Sequence, residues 1–149
     1  MLFRSLPRMT SPKRSAQAAV ETALEMLTAI EQLNQARRRR GEPPMITGVG
    51  IHTGVVMAGG LGSRDRLHYT IIGDTVNTTQ RIESLTRDLC AGNGVLLSIY
   101  TLEALGEYGR DLQIEALGPQ KIRGREEELL VYRLNPGQQT STRPPNLAL

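Results

Sequence analysis

The chain has 149 residues, 39% of them apolar, with no Trp, one Phe, one cysteine and a formal net charge of +3. That length suits one domain with a modest aliphatic core, and the lone thiol excludes an internal disulfide framework and fits a reducing, cytoplasmic setting. The small charge does not by itself point to nucleic acid, no apolar run approaches the ~20 residues of a membrane span, and the basic start Met1 to Arg14 lacks the apolar segment of a signal peptide.

In chain order, Ser11 and Pro12 read as a helix start, with Ser as cap and Pro at the first helical position. Apolar residues follow at Ala16, Ala19, Val20, Ala23, Leu24, Leu27, Ile30 and Leu33, which is helical spacing. The helix is expected to run into Arg37 to Arg40 and to stop at Gly41, with cations suiting its last turn. Met45 to His52 reads as a strand, central and covered on both faces because it carries few polar residues. Glycines punctuate the next stretch around a short apolar piece, Val55 to Ala58. Ser63 to Leu67 is predicted as a charged loop and His68 to Ile72 as a second strand. Gly73-Asp74 ends that strand, and Asp74 or Thr75 is expected to cap a helix reaching about Cys90, its buried stripe formed by Val76, Ile82, Leu85 and Leu89.

Val95 to Ile99 is a third predicted strand and Thr101 to Tyr108 a short helix. Asp111 to Leu117 and Leu129 to Leu134 read as a terminal strand pair, joined by a basic turn around Arg123-Gly124-Arg125. Residues 135–149 are polar and contain Pro, Gly and Gln, and read as a disordered tail. The order of elements predicts an α+β or α/β sandwich with helices against one sheet.

Chemistry is concentrated between Ile51 and Glu83. Asn77 and Arg81 are four apart and so share one face of their helix near its N-terminus. An amide, a guanidinium fork and a helix N-terminus pointing one way make an anion site. The alternative is structural: Asp74 merely starts the helix, Asn77 is a surface residue and Arg81 pairs with Glu83 or Asp88. Spacing alone favours that alternative.

The ordered phrases Ile51-His52-Thr53-Gly54-Val55, Gly60-Leu61-Gly62-Ser63, Tyr69-Thr70-Ile71-Ile72-Gly73-Asp74-Thr75-Val76-Asn77 and Arg81-Ile82-Glu83 resemble the signature of class III adenylate/guanylate cyclase catalytic domains, in their C-terminal part. The resemblance covers residues 15–134 and leaves outside it a basic N-terminus, 1–14, and the tail. It implies a ferredoxin-like nucleotidyl cyclase fold lacking its first strands. It further implies a nucleotide held between two head-to-tail domains, whose ribose hydroxyl attacks its own α-phosphate and expels pyrophosphate. Asn77 and Arg81 stand where the family places its catalytic pair, Asn orienting the ribose and Arg stabilising charge on the α-phosphate. Thr70 stands where the family reads the purine, which favours ATP over GTP.

Two Mg²⁺ or Mn²⁺ ions serve the family's reaction, held by two aspartates that precede the helix starting here at Ser11. Ten residues precede that cap, and none is Asp or Glu. No metal ligand is therefore assigned. The second domain is expected in a homo- or heterodimer, but a homodimer of this chain has no recognisable metal site, so the ions are expected only from a different partner chain's aspartates and the chain by itself is expected to be inactive. The other reading is a catalytically inactive cyclase-homology module that binds and regulates a partner. The family's phosphate-contacting lysine has no counterpart, since Leu129 or Leu130 falls there. His52 and His68 read as structural histidines and Cys90 as an inert thiol. The arginine run lacks the interleaved aromatics of a base-stacking surface and reads as a solvated helix end.

Overall fold

The computed structural model describes residues 11–63, 66–122 and 127–136. Helix α1 spans Pro12–Arg39, with Ser11 accepting a hydrogen bond from the Arg14 amide at its start. Strands β1 (Gly48–Ile51), β2 (Met57–Ser63) and β3 (Arg66–Ile72) lead into α2 (Asp74–Leu89). Then come β4 (Gly94–Ser98), α3 (Ile99–Leu105), a 3₁₀ turn (Gly106–Asp111), β5 (Gln113–Gln120) and β6 (Leu129–Asn135).

Four strands form the main sheet in the order β1-β4-β6-β5, and β2 and β3 make a separate antiparallel hairpin. Strand β1 runs parallel to β4, while β6 lies antiparallel to both β4 and β5. This is the α+β arrangement expected. Strand β1, however, lies at the sheet edge instead of its centre, with β4 as its one ladder. The strand covered on both faces is β4, every residue of which is buried. A run of few polar residues marks coverage by helices, not the number of ladder partners.

Alternation along β4 divides the interior in two. Val95 and Leu97 face α1 and α3, where they meet Ala16, Val20, Ala23, Leu27, Ile51, Leu105 and Leu134. Leu96 faces α2 and packs with Ile82, Ile122, Leu129 and Val131. Each fully buried Leu or Ile contributes roughly 1.5–3 kcal/mol, so the two clusters, aliphatic at their buried centres with Tyr108 and Tyr132 packed at the margin of the first, hold the layers together.

Helix α2 rests on glycines. A Cβ on Gly50 would lie 2.5 Å from the Glu83 backbone nitrogen and 2.8 Å from the Thr79 carbonyl. Gly48 is similarly pressed against Thr86. The buried face of α2 is Thr78, Ile82 and Thr86; Val76, Leu85 and Leu89 flank it half-buried. The expected stripe was centred wrongly because threonine reads as polar, yet its methyl suits close approach and its hydroxyl bonds back to the helix, as Thr86 does to Glu83 at 2.6 Å. The cap also differs: Gly73, at φ 144°, occupies it without a side-chain hydrogen bond, and Asp74 is the first helical residue.

Two expectations shift by a few residues. The stretch predicted as a charged loop contributes Ser63 to β2 and Arg66 and Leu67 to β3. The short helix starts at Ile99, where Ser98 caps it by accepting from the Thr101 amide. The basic turn at 123–125 lies outside the described residues, as does the tail beyond Pro136. Asn135, assigned to the tail, closes β6 opposite Gln113.

Candidate functional site

Asn77 and Arg81 close the first and second turns of α2, each one residue ahead of the buried Thr78 and Ile82. One residue is about 100° of helix rotation, so the pair shares a face beside the one that contacts the sheet. Asn77 is exposed and Arg81 half-buried. Among the described residues neither side chain makes a hydrogen bond or ion pair, and Arg81 engages neither Glu83 nor Asp88. A guanidinium with no protein acceptor keeps its planar fork available for an external oxyanion. The N-terminal end of α2 adds its positive dipole end to the same region.

Thr70 lies in β3, half-buried, across the ladder from Gly59. A Cβ on Gly59 would meet nothing within 4 Å, so the position opposite Thr70 is open. Two residues separate Thr70 from Gly73, where the chain turns into α2. Strand β3 thus delivers the chain directly to the helix that carries Asn77 and Arg81.

The surface beside this helix start is apolar. Val55 is 88% exposed and Met57 66%, and Val56, Ile71 and Ile72 are exposed with them. Met57 pairs with Ile72 and Ala58 with Ile71 across the hairpin. Met57 and Ile72, directly opposite each other, put two large aliphatic side chains on one exposed face of the hairpin, the kind of surface that marks interaction sites. The sequence reading had no means of finding it, since short apolar runs are ordinarily core.

The remaining candidates behave structurally. His52 Nδ1 lies 2.8 Å from Ser98 Oγ, and its ring stands edge-on to Tyr100 at 5.7 Å. The side chain of His68 lies outside the described residues. Arg37 and Arg40 pair with Glu42, and Arg38 with Glu31. Three cations of the arginine run are thereby committed within the chain. Among the described residues no three His, Cys, Asp or Glu side chains gather where they could hold a metal ion. At the position of the family lysine, Leu129 is buried and Leu130 exposed. No described helix is long and apolar enough to cross a membrane.

Comparison with known proteins follows the same lines. A family model described as the adenylate and guanylate cyclase catalytic domain matches residues 3–136. Adenylate cyclase 1 of Rhizobium meliloti is 36% identical over 122 residues, covering 81% of this chain and 17% of the relative. The photoactivated adenylate cyclase subunit beta of Euglena gracilis is 33% identical over 117 residues, 73% of this chain and 13% of its own length. Among solved structures, an adenylyl cyclase from P. aeruginosa superposes with a TM-score of 0.76 at 25% identity, over 89% of this chain and 65% of that one. A guanylyl cyclase superposes with a TM-score of 0.70 at 28% identity, over 92% of this chain and 66% of that one. The chain therefore spans under a fifth of these curated relatives and about two thirds of the matched structures.

Proposed function

This chain belongs to the adenylate and guanylate cyclase catalytic-domain family, and we propose that it supplies the Asn–Arg half of a composite active site that converts ATP to cyclic AMP and pyrophosphate. The observation carrying this reading is the pair Asn77 and Arg81 on one outward face of α2, without intramolecular partners among the described residues, beside the exposed apolar surface of Val55 and Met57. A half-site needs both features: donors left unsatisfied by their own chain, and a dry contact that seats a second domain over them.

The chain's residues act by holding and neutralising. Asn77 holds the ribose so that its 3′-hydroxyl lies in line with the α-phosphate, which converts part of the barrier into binding. The new bond joins that oxygen to the α-phosphorus as the bond to the pyrophosphate oxygen breaks. Arg81 meets the charge that grows on the α-phosphate oxygens; a fixed donor of this kind is worth roughly 10²–10³ in rate. Thr70 faces the purine and favours adenine over guanine. Two Mg²⁺ or Mn²⁺ ions would be held by the aspartates of a partner domain and would supply Lewis-acid stabilisation of the hydroxyl and phosphate oxygens.

The test is cyclic AMP formation from ATP with Mn²⁺, with GTP in parallel. It is run on the chain alone and on the chain mixed with a cyclase domain that keeps its aspartates but lacks its own Asn and Arg. Activity in the mixture only, and greater on ATP, is the expected result. Activity of the chain alone would mean that it holds metal by itself. Stable pairing without turnover would establish instead a catalytically inactive module that regulates its partner.

A further inference from the structure

Helix α2 starts at a glycine, so its first turn lacks the side-chain oxygen that ordinarily secures an N-terminus. A different hydroxyl ties it down. Thr75 Oγ1 donates to the Val55 carbonyl at 2.7 Å, linking the first turn of α2 to the loop between β1 and β2. The Val55 side chain is 88% exposed, so burial does not hold this loop against the helix. Gly54 makes the contact possible, since a Cβ there would sit 2.5 Å from the same hydroxyl oxygen.

The other end of the loop is anchored in the core. Thr53 Oγ1 donates to Thr101 Oγ1 at 3.1 Å, and Thr101 Oγ1 donates to the Ile51 carbonyl at 3.2 Å. His52 meets Ser98 at 2.8 Å, and both Ser98 and Thr101 are fully buried at the start of α3. Hydrogen bonds therefore run from the buried junction of β1, β4 and α3, along residues 51–55, to Thr75. Within α2, the Thr75 carbonyl accepts from Thr79 Oγ1 at 2.8 Å, and Asn77 lies between these two threonines.

We propose that Thr75 is a positioning residue for Asn77, acting through its hydroxyl on the Val55 carbonyl, with residues 51–55 as the brace. The proposal rests on the half-site reading above. A misplacement of about 1 Å at a reacting centre costs on the order of 10²-fold in rate, and among the described residues Asn77 is otherwise held at this end only by a long backbone bond to Gly73, at 3.5 Å. Because Asn77 acts on ribose orientation, loosening it lowers kcat more than it raises KM.

Two variants test this: Thr75→Val keeps the shape and removes the hydroxyl, and Thr75→Ser keeps the hydroxyl. In the complementing mixture, Thr75→Val is expected to lower kcat by roughly 10- to 100-fold with little change in KM for ATP, and Thr75→Ser to recover most of the rate. On the chain alone, amide hydrogen exchange of residues 74–79 is expected to quicken in Thr75→Val and to return in Thr75→Ser, with the denaturation midpoint nearly unchanged. Loss in Thr75→Ser with the wild-type rate in Thr75→Val would overturn the proposal, because the methyl and not the hydroxyl would then matter; equal loss in both variants would overturn it too, because the hydroxyl would then not restore the position of Asn77. Wild-type exchange in Thr75→Val would overturn it as well. If the wild-type mixture shows no turnover, the half-site reading fails by itself, and the exchange comparison alone decides whether Thr75 holds the turn.

Discussion

Arg81 owes its proposed role to geometry as much as to charge. A lysine would retain the charge but lose the planar fork that meets two phosphate oxygens. In the complementing mixture, Arg81→Ala is expected to lower turnover roughly 10²–10³-fold and Arg81→Lys to restore only a part of it. Equal activity of the two variants and the wild type would remove Arg81 from the site. A second residue reports on pH. Tyr108 donates to Glu21 at 3.2 Å, and burial, then the Glu21 charge and hydrogen bond, then Asp111, raise its phenol above the ordinary value. The folded chain therefore keeps this proton at a pH where the unfolded chain has lost it. Stability is full below the unfolded phenol's pKa of about 10 and falls as pH rises from there through the folded value. Tyr108→Phe is expected to flatten that alkaline decline in thermal melts. At this scale the order of the motif phrases, and not spacing, singled out Asn77 and Arg81, and the structure places the two on one helix face. Thr75 was not legible in the sequence, because a threonine at a helix start has several roles and only its distance to Val55 selects one.

Among the elements, β1 and α2 depend on each other through missing side chains. Gly48 and Gly50 form a floor on which α2 lies nearly backbone to backbone. Gly50→Ala would drive a methyl into the Thr79–Glu83 backbone and lift the helix that carries Asn77 and Arg81. The expected cost is roughly 1–3 kcal/mol of stability, as for other overpacked sites, measured by urea unfolding, together with loss of turnover in the mixture. An unchanged unfolding midpoint would show that α2 shifts freely. Helix α1, α2 and the strand pair β5–β6 were readable from apolar period and turn residues. The position of β1 was not, since ladder order is a property of distant pairing and composition reports only what covers a face. Asn34 shows the same limit: its side-chain amide donates to the Met45 carbonyl at 2.8 Å and accepts from the Met45 amide at 2.7 Å, clamping the link after α1. Nothing in a helix interior announces such a clamp.

For the whole molecule, the exposed aliphatic group on the β2–β3 hairpin and the unsatisfied face of α2 are neighbours along the chain. Replacing Val55 and Met57 together by Glu puts charge where a dry contact is needed. Each such side chain is worth roughly 1.5–3 kcal/mol when buried, so the paired species is expected to weaken by at least about 10-fold per residue in sedimentation experiments, with the fold of the single chain intact. Unaltered association would place the contact elsewhere. The main sheet carries a further consequence. Strands β4, β6 and β5 are joined by successive antiparallel ladders, whereas β1 hangs from β4 by four parallel pairs whose members are 46 residues apart. Loop-closure cost grows only slowly with length, so the distinction lies in the ladders: as the edge strand, β1 is expected to exchange its amides faster than β4 and β6. The helix proposed to carry the half-site thus has its floor on an edge strand, so whatever moves that edge moves Asn77 and Arg81 with it.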